Sequence, residues 1–160
     1  MTESILDGKR ILAVDDEEDI LAIIREQLPE CSITTAKTYE SAKEQIERES
    51  FDLVILDIMG VRGFDLLNMT TARRIPAVML TAHAMTPESL QRSIDAGAVS
   101  FLPKDELSRL TELIEEIFGE LAHGKSHWNK LRGRLGPTFR ELWGEMWDTI
   151  RFPPDSRISW

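Results

Sequence analysis

A single cysteine, Cys31, in 160 residues excludes an intramolecular disulfide and a Cys-rich zinc framework, and reads as a small buried residue. No apolar run comes near the ~18 residues that a membrane span needs. The first ten residues have neither the basic start nor the apolar stretch of a signal peptide, so the chain is expected in the cytoplasm. Basic residues are outnumbered 19 to 28, and a net charge of −9 argues against a general polyanion binder. Nine glycines and seven prolines exclude collagen-like or linker-dominated chemistry. No Gly-rich phosphate loop follows the first apolar run, which disfavours a nucleotide-binding module. Tryptophan is absent before Trp128.

What is present suits one folded domain with a short appendage: 42% hydrophobic and 29% charged residues is ordinary globular usage. Ile11-Leu12-Ala13-Val14 is a short buried strand that runs into Asp15-Asp16-Glu17-Glu18-Asp19, an acid-rich helix start. Ile20, Leu21, Ile23, Ile24 and Leu28 line one helical face, and Pro29 stops it. The alternation then repeats: a strand over 32–36, a helix over 39–49, the strand Leu53-Val54-Ile55-Leu56 ending in Asp57, and a short helix over 64–71. A strand over 77–80, a helix over 87–95 with Pro87 in its first turn, a strand over 99–102 and a helix over 106–121 complete the series. Five apolar strands alternating with five helices predict an α/β fold, a doubly wound parallel sheet covered by helices on both faces. Ligands of such sheets sit at the carboxyl ends of the strands, where the strand order reverses.

Polar residues mark those ends: Asp15 and Asp16 after the first strand, Asp57 after the third, Thr81 after the fourth and Lys104 after the fifth. Each acid alone reads equally well as a solvated loop residue or a helix cap. If the first and third strands are neighbours, however, their ends lie roughly 5 Å apart and three carboxylates are crowded together. They raise one another's pKa unless a cation neutralises them; hard oxygen ligands with room for water suit Mg²⁺, and Lys104 adds a fixed positive charge.

In this order the residues resemble the receiver domain of two-component response regulators. The matches are Val14-Asp15-Asp16, Leu56-Asp57-Ile58-Met59, Met79-Leu80-Thr81-Ala82 and Ala96-Gly97-Ala98, followed by Phe101-Leu102-Pro103-Lys104. The resemblance covers residues 8–122 and implies the flavodoxin-like strand order 2-1-3-4-5. It implies a signalling switch, not an enzyme with a released product, whose only catalysis is its own Mg²⁺-dependent phosphorylation and dephosphorylation. Asp57 stands at the phosphoacceptor position, Asp16 at the principal metal ligand, and Asp15 at a holder of metal-bound water. The backbone carbonyl of Met59 completes the protein's share of the coordination. Lys104 and Thr81 take charge from the phosphoryl oxygens, and Thr81 with Phe101 couples phosphate to shape. The alternative for Phe101 is an ordinary core aromatic, and without a hydroxyl any switching there works through packing alone. The implied donor is a phosphohistidine on a sensor histidine kinase or phosphotransfer protein.

The chain also departs from the family pattern. Lys104 is followed by Asp105 where the family commonly has a cis proline, so a trans bond is expected here. The loop after Asp57 lacks the usual proline, and the third helix is expected to be short. Met59 and His83 occupy the positions that tune attack of water on an acyl phosphate; Met59 cannot orient that water, and His83 reads as an exposed loop residue.

Residues 123–160 form a distinct segment. They carry seven Lys/Arg against four acids, a balance of +3 that leaves −12 on residues 1–122, and all four tryptophans. His123-Gly124-Lys125-Ser126 reads as a joint. Phe139, Leu142, Trp143, Met146, Trp147 and Ile150 predict an amphipathic helix over 138–150, entered by Gly136-Pro137. This extension is expected either to pack on its own domain or to dock a downstream protein or a second copy, together with the fourth helix, fifth strand and fifth helix. Its length and weak charge argue against DNA, and the mixed polar face of its helix argues against membrane binding. His123 and His127, at i and i+4, lack a third metal ligand nearby. Two rivals remain: a haloacid-dehalogenase-like phosphatase or phosphotransferase, which wants an acid where Met59 stands, and a receiver that works as an unphosphorylated scaffold.

Overall fold

The computed structural model describes residues 4–82 and 86–153. Strands β1 (Arg10–Val14), β2 (Ser32–Ala36), β3 (Leu53–Asp57), β4 (Ala77–Thr81) and β5 (Ser100–Pro103) form one parallel sheet in the order β2-β1-β3-β4-β5. Every residue of β3 and β4 is buried, as central strands covered on both faces require. Helices α1 (Glu18–Gln27), α2 (Tyr39–Arg48), α3 (Gly63–Ala72), α4 (Pro87–Asp95) and α5 (Leu110–Ala122) alternate with the strands. At the start of α4 the Thr86 hydroxyl accepts from Ser89 N–H, and Pro87 occupies the first turn, where its missing N–H costs nothing.

Register brings the polar strand ends to one edge. Val14 is level with Leu56, so Asp15 and Asp57 continue side by side; Asp57 pairs with Leu80 and Thr81 with Pro103, which places Thr81 one step and Lys104 two steps further along. The chain passes from β1 outward to β2, then back across β1 to β3, and the crevice between β1 and β3 is the reversal point.

Several expectations are corrected. Helix α3 has ten residues, as many as α1 and α2, and is not shortened. The helix expected over 106–121 begins as a 3₁₀ turn, Lys104–Arg109, and becomes α-helical only at Leu110. Such tighter winding is common at helix starts, and Leu107 keeps the buried face continuous. No cis peptide bond occurs among the described residues, so Lys104 and Asp105 are joined in trans as expected. Cys31 is half-buried, its Sγ 3.4 Å from the carbonyl of Leu6, and burial ahead of neighbouring acids pushes its thiol up to about 11.

The larger correction concerns the extension. Its helix α6 runs over Trp128–Trp143, ten residues earlier than the pattern predicts, and a 3₁₀ turn, Gly144–Thr149, follows it. Pro137 lies inside α6 instead of opening it. An interior proline costs ~3 kcal/mol, but Trp128, Leu131, Leu135 and Phe139 are all buried, and each buried side chain of this size returns ~1.5–3 kcal/mol. Leu142 and Met146, expected on the apolar face, are 64% and 48% exposed. The apolar stripe has its period broken at Gly144, where the helix ends.

The joint closes α5 by a pair of backbone bonds, Gly124 N–H to Leu121 and Lys125 N–H to Glu120. Beyond it the extension packs on its own domain. Trp128 Nε1 donates to the carbonyl of Ala98 at 3.0 Å, and Gln91 of α4 exchanges hydrogen bonds with both the N–H and the carbonyl of Arg151. His127 is buried between the Ser100 hydroxyl (2.9 Å) and the Glu116 carboxylate (3.1 Å). Arg134 and Lys130 pair with Glu116 and Glu120 of α5. Of the two alternatives for the extension, packing on its own domain is the one seen, and the α4-β5-α5 side is in part covered by the chain itself.

Candidate functional site

Asp15 and Asp57 meet because two fully apolar strands end at the same level, and Lys104 reaches them from the end of β5. Its Nζ lies 2.9 Å from Asp15 Oδ2, 3.2 Å from Asp57 Oδ1 and 2.9 Å from Glu17 Oε2. Asp15 is fully buried; its Oδ1 accepts from the Glu17 N–H at 2.9 Å, while Oδ2 has the ionic contact with Lys104 but no directed hydrogen bond. Asp16 is exposed and lines an open pocket of about 270 Å³ with Asp57, Met59, Gly60, Thr81 and Lys104. The Thr81 hydroxyl, nearly buried, donates to the carbonyl of Ala82 at 3.3 Å. Phe101 is wholly buried one strand away. Met59 lines the pocket with a side chain 74% exposed. His83 lies outside the described residues.

Burial, more than charge crowding, raises the pKa of these acids. Burial, then the charge of Asp15, pushes the Asp57 carboxyl up to about 6, against the pull of Lys104. Burial also raises Asp15, with Lys104 and the Glu17 N–H opposing. At Lys104 burial works against the charge, but the bonds to Asp15 and Glu17 and the charge of Asp57 outweigh it and the pKa is raised.

The residues fit a hard cation. Asp15, Asp16 and Asp57 each offer an oxygen within 4.8 Å of the others, and the buried Asp15 Oδ2 lacks a directed partner. Gly60 keeps the neighbouring space clear: a Cβ there, at φ +82°, would stand 2.6 Å from Asp16 Oδ2. At Gly63 a Cβ would lie 2.2 Å from the carbonyl oxygen of Asp57, so only glycine lets α3 start so close behind the acid. The structure therefore brings together Asp15, Asp16, Asp57, Met59, Thr81 and Lys104. Glu17 is the participant that sequence reasoning missed, because an acid at a helix start is already accounted for by the helix dipole.

A doubly wound sheet with an acid cluster, a threonine and a lysine at its carboxyl edge defines a class of phosphorylatable α/β domain. Residues 11–116 match the family model of the response regulator receiver domain. The chain belongs to that family, whose receiver domains are the phosphorylatable signalling switch of two-component systems. It is 38% identical over 103 residues to the two-component response regulator ARR18 of Arabidopsis thaliana, covering 61% of this chain and 16% of that one. It is 30% identical over 159 residues to the transcriptional regulatory protein TcrA of Mycobacterium tuberculosis, covering 96% of this chain and 56% of TcrA. The CheY-like receiver structure from Methanospirillum hungatei superimposes with a TM-score of 0.65 at 30% identity, over 71% of this chain and 96% of that one. The chain thus spans about a sixth of the plant regulator and about half of TcrA. Response regulators work with histidine kinases and downstream partners. Among the described residues no helix is long and apolar enough to cross a membrane.

Proposed function

We propose that Asp57 is the phosphoacceptor of a receiver spanning residues 8–122, and that residues 123–160 are its readout segment. The observation that carries this is the convergence of Asp57, Asp15 and Lys104 beside an open pocket that Thr81 and Asp16 also line. A carboxylate oxygen of Asp57 attacks in line on a phosphoryl group carried by a kinase or phosphotransfer histidine. The new O–P bond forms as the P–N bond breaks, and the electron pair returns to the imidazole. Lys104 and the Thr81 hydroxyl take part of the charge on the phosphoryl oxygens.

Mg²⁺ supplies further neutralisation of that charge when bound. Asp16 and Asp57 would hold it directly, Asp15 through water, and the Met59 carbonyl would complete the protein's share. Thr81 and Phe101 transmit the event: rearrangement of the Thr81 hydroxyl toward the phosphoryl group opens space beside β5, the strand on which the extension is docked. The working compartment is the cytoplasm, and the output is a contact with another protein.

The test is phosphoryl mass on the intact protein after incubation with acetyl phosphate and Mg²⁺, with Trp emission recorded alongside. Mass gain and an emission change, both lost in Asp57→Asn, are expected. Mass gain that survives in Asp57→Asn would reject this acceptor, and no gain from any donor, kinases included, would favour the scaffold alternative.

A further inference from the structure

Lys104 has three N–H bonds and faces three carboxylates. Two of them, on Asp15 and Asp57, are buried behind it and already fix the ammonium in place. The third, on Glu17, stands at the rim of the pocket with its side chain 61% exposed, while that of Lys104 is only 14% exposed. The contact to Glu17 is a directed hydrogen bond of 2.9 Å. Glu17 is itself anchored, since its N–H is bound to Asp15 Oδ1 at the entry to α1. An arriving phosphoryl group therefore meets a lysine in contact with three carboxylates, its directed hydrogen bond given to Glu17, and a negative charge at the opening.

We propose that Glu17 is a positioning residue that restrains phosphorylation by holding the outward donor of Lys104 in competition with the phosphoryl oxygen. The inference rests on Asp57 as acceptor. Of the three partners, Glu17 is the one that can leave at low cost, because its carboxylate rehydrates at the rim. Asp15 cannot, being wholly enclosed. When the O–P bond to Asp57 forms, a phosphoryl oxygen replaces Glu17 Oε2 on Lys104, and no proton or electron need be exchanged. An exposed ion pair is worth only a few-fold in an equilibrium constant, so the restraint tunes the site without closing it.

The experiment uses the full chain with Mg²⁺ and beryllofluoride, a tetrahedral fluoride adduct that adds to a carboxylate as a phosphoryl group does. Affinity is read by fluorine NMR, and the Lys104 ammonium by heteronuclear NMR in the metal-free protein. Glu17→Gln should bind the adduct about two- to fivefold more tightly than wild type and shift the Lys104 ammonium resonance. The gain should vanish in a Lys104→Gln background. Unchanged or weaker affinity in Glu17→Gln overturns the proposal, as does a gain of equal size without the lysine. Adduct bound equally well by Asp57→Asn would instead overturn the acceptor assignment, which the Glu17 comparison alone leaves standing.

Discussion

Ser100 of β5 and His127 at the start of α6 are joined by a buried 2.9 Å contact between Oγ and Nδ1. Because the ionised Glu116 can only accept, the proton on the ring sits on Nε2 and points at that carboxylate, and Nδ1 accepts from the Ser100 hydroxyl. One neutral imidazole thus satisfies a polar group on a strand and another on α5.

Replacing His127 by Ala leaves the buried Ser100 hydroxyl without its partner, while Glu116 keeps Arg134. We expect a loss of about 1–3 kcal/mol in urea unfolding followed by Trp emission. The same loss is expected to be smaller in a Ser100→Ala background, since the orphaned hydroxyl is then gone.

Burial holds the His127 imidazole below its usual pKa of 6.5, only partly offset by Glu116. The unfolded chain therefore takes up the proton first as pH falls. Stability from this site is complete above about 6.5 and is lost progressively below it. Trp emission of the native protein, followed from pH 8 to 5, should report loosening of the extension. In His127→Ala that transition should be absent.

Asp57 has the opposite sign. Its folded pKa of about 6 lies above the ordinary 3.8, so the metal-free protein loses stability as pH rises between these values. At pH 7 without Mg²⁺, Asp57→Asn should be more stable than wild type by on the order of 1–2 kcal/mol in urea, less than the full shift because the variant also gives up Lys104. Adding Mg²⁺ should stabilise wild type more than the variant and narrow the gap.

Thr81→Ala should accept phosphate at Asp57 yet show a reduced Trp emission change per mole of phosphoryl group. An emission response equal to that of wild type would remove Thr81 from the path between the site and the extension.

Trp128→Phe removes the indole donor to Ala98 while keeping most of the apolar bulk, and should cost about 1 kcal/mol. Trp128→Ala should cost about 3–5 kcal/mol, measured in the same denaturation assay.

The sheet and its acids were legible because apolar runs of four or five residues each end in a polar residue, and parallel strands leave one arrangement of those ends. Helix α6 was not. His123-Gly124-Lys125-Ser126 and Gly136-Pro137 look like punctuation in sequence, and only packing against Ala98, Ser100 and Glu116 shows that the chain is already helical at Trp128. Glu17 was equally hidden, since its partner Lys104 lies 87 residues away and local acid content already explained it.

Strand β5 lies at the margin of the sheet, with β4 on one side and, among the described residues, no strand on the other. A margin of this kind offers unpaired backbone to any passing chain and invites self-association. Helix α6 lies against β5, and Trp128 takes up the carbonyl of Ala98 just before it. The extension therefore shields this margin: a protein cut after Ala122 would expose a sticky sheet border together with the apolar surface that Trp128, Leu131, Leu135 and Phe139 now cover.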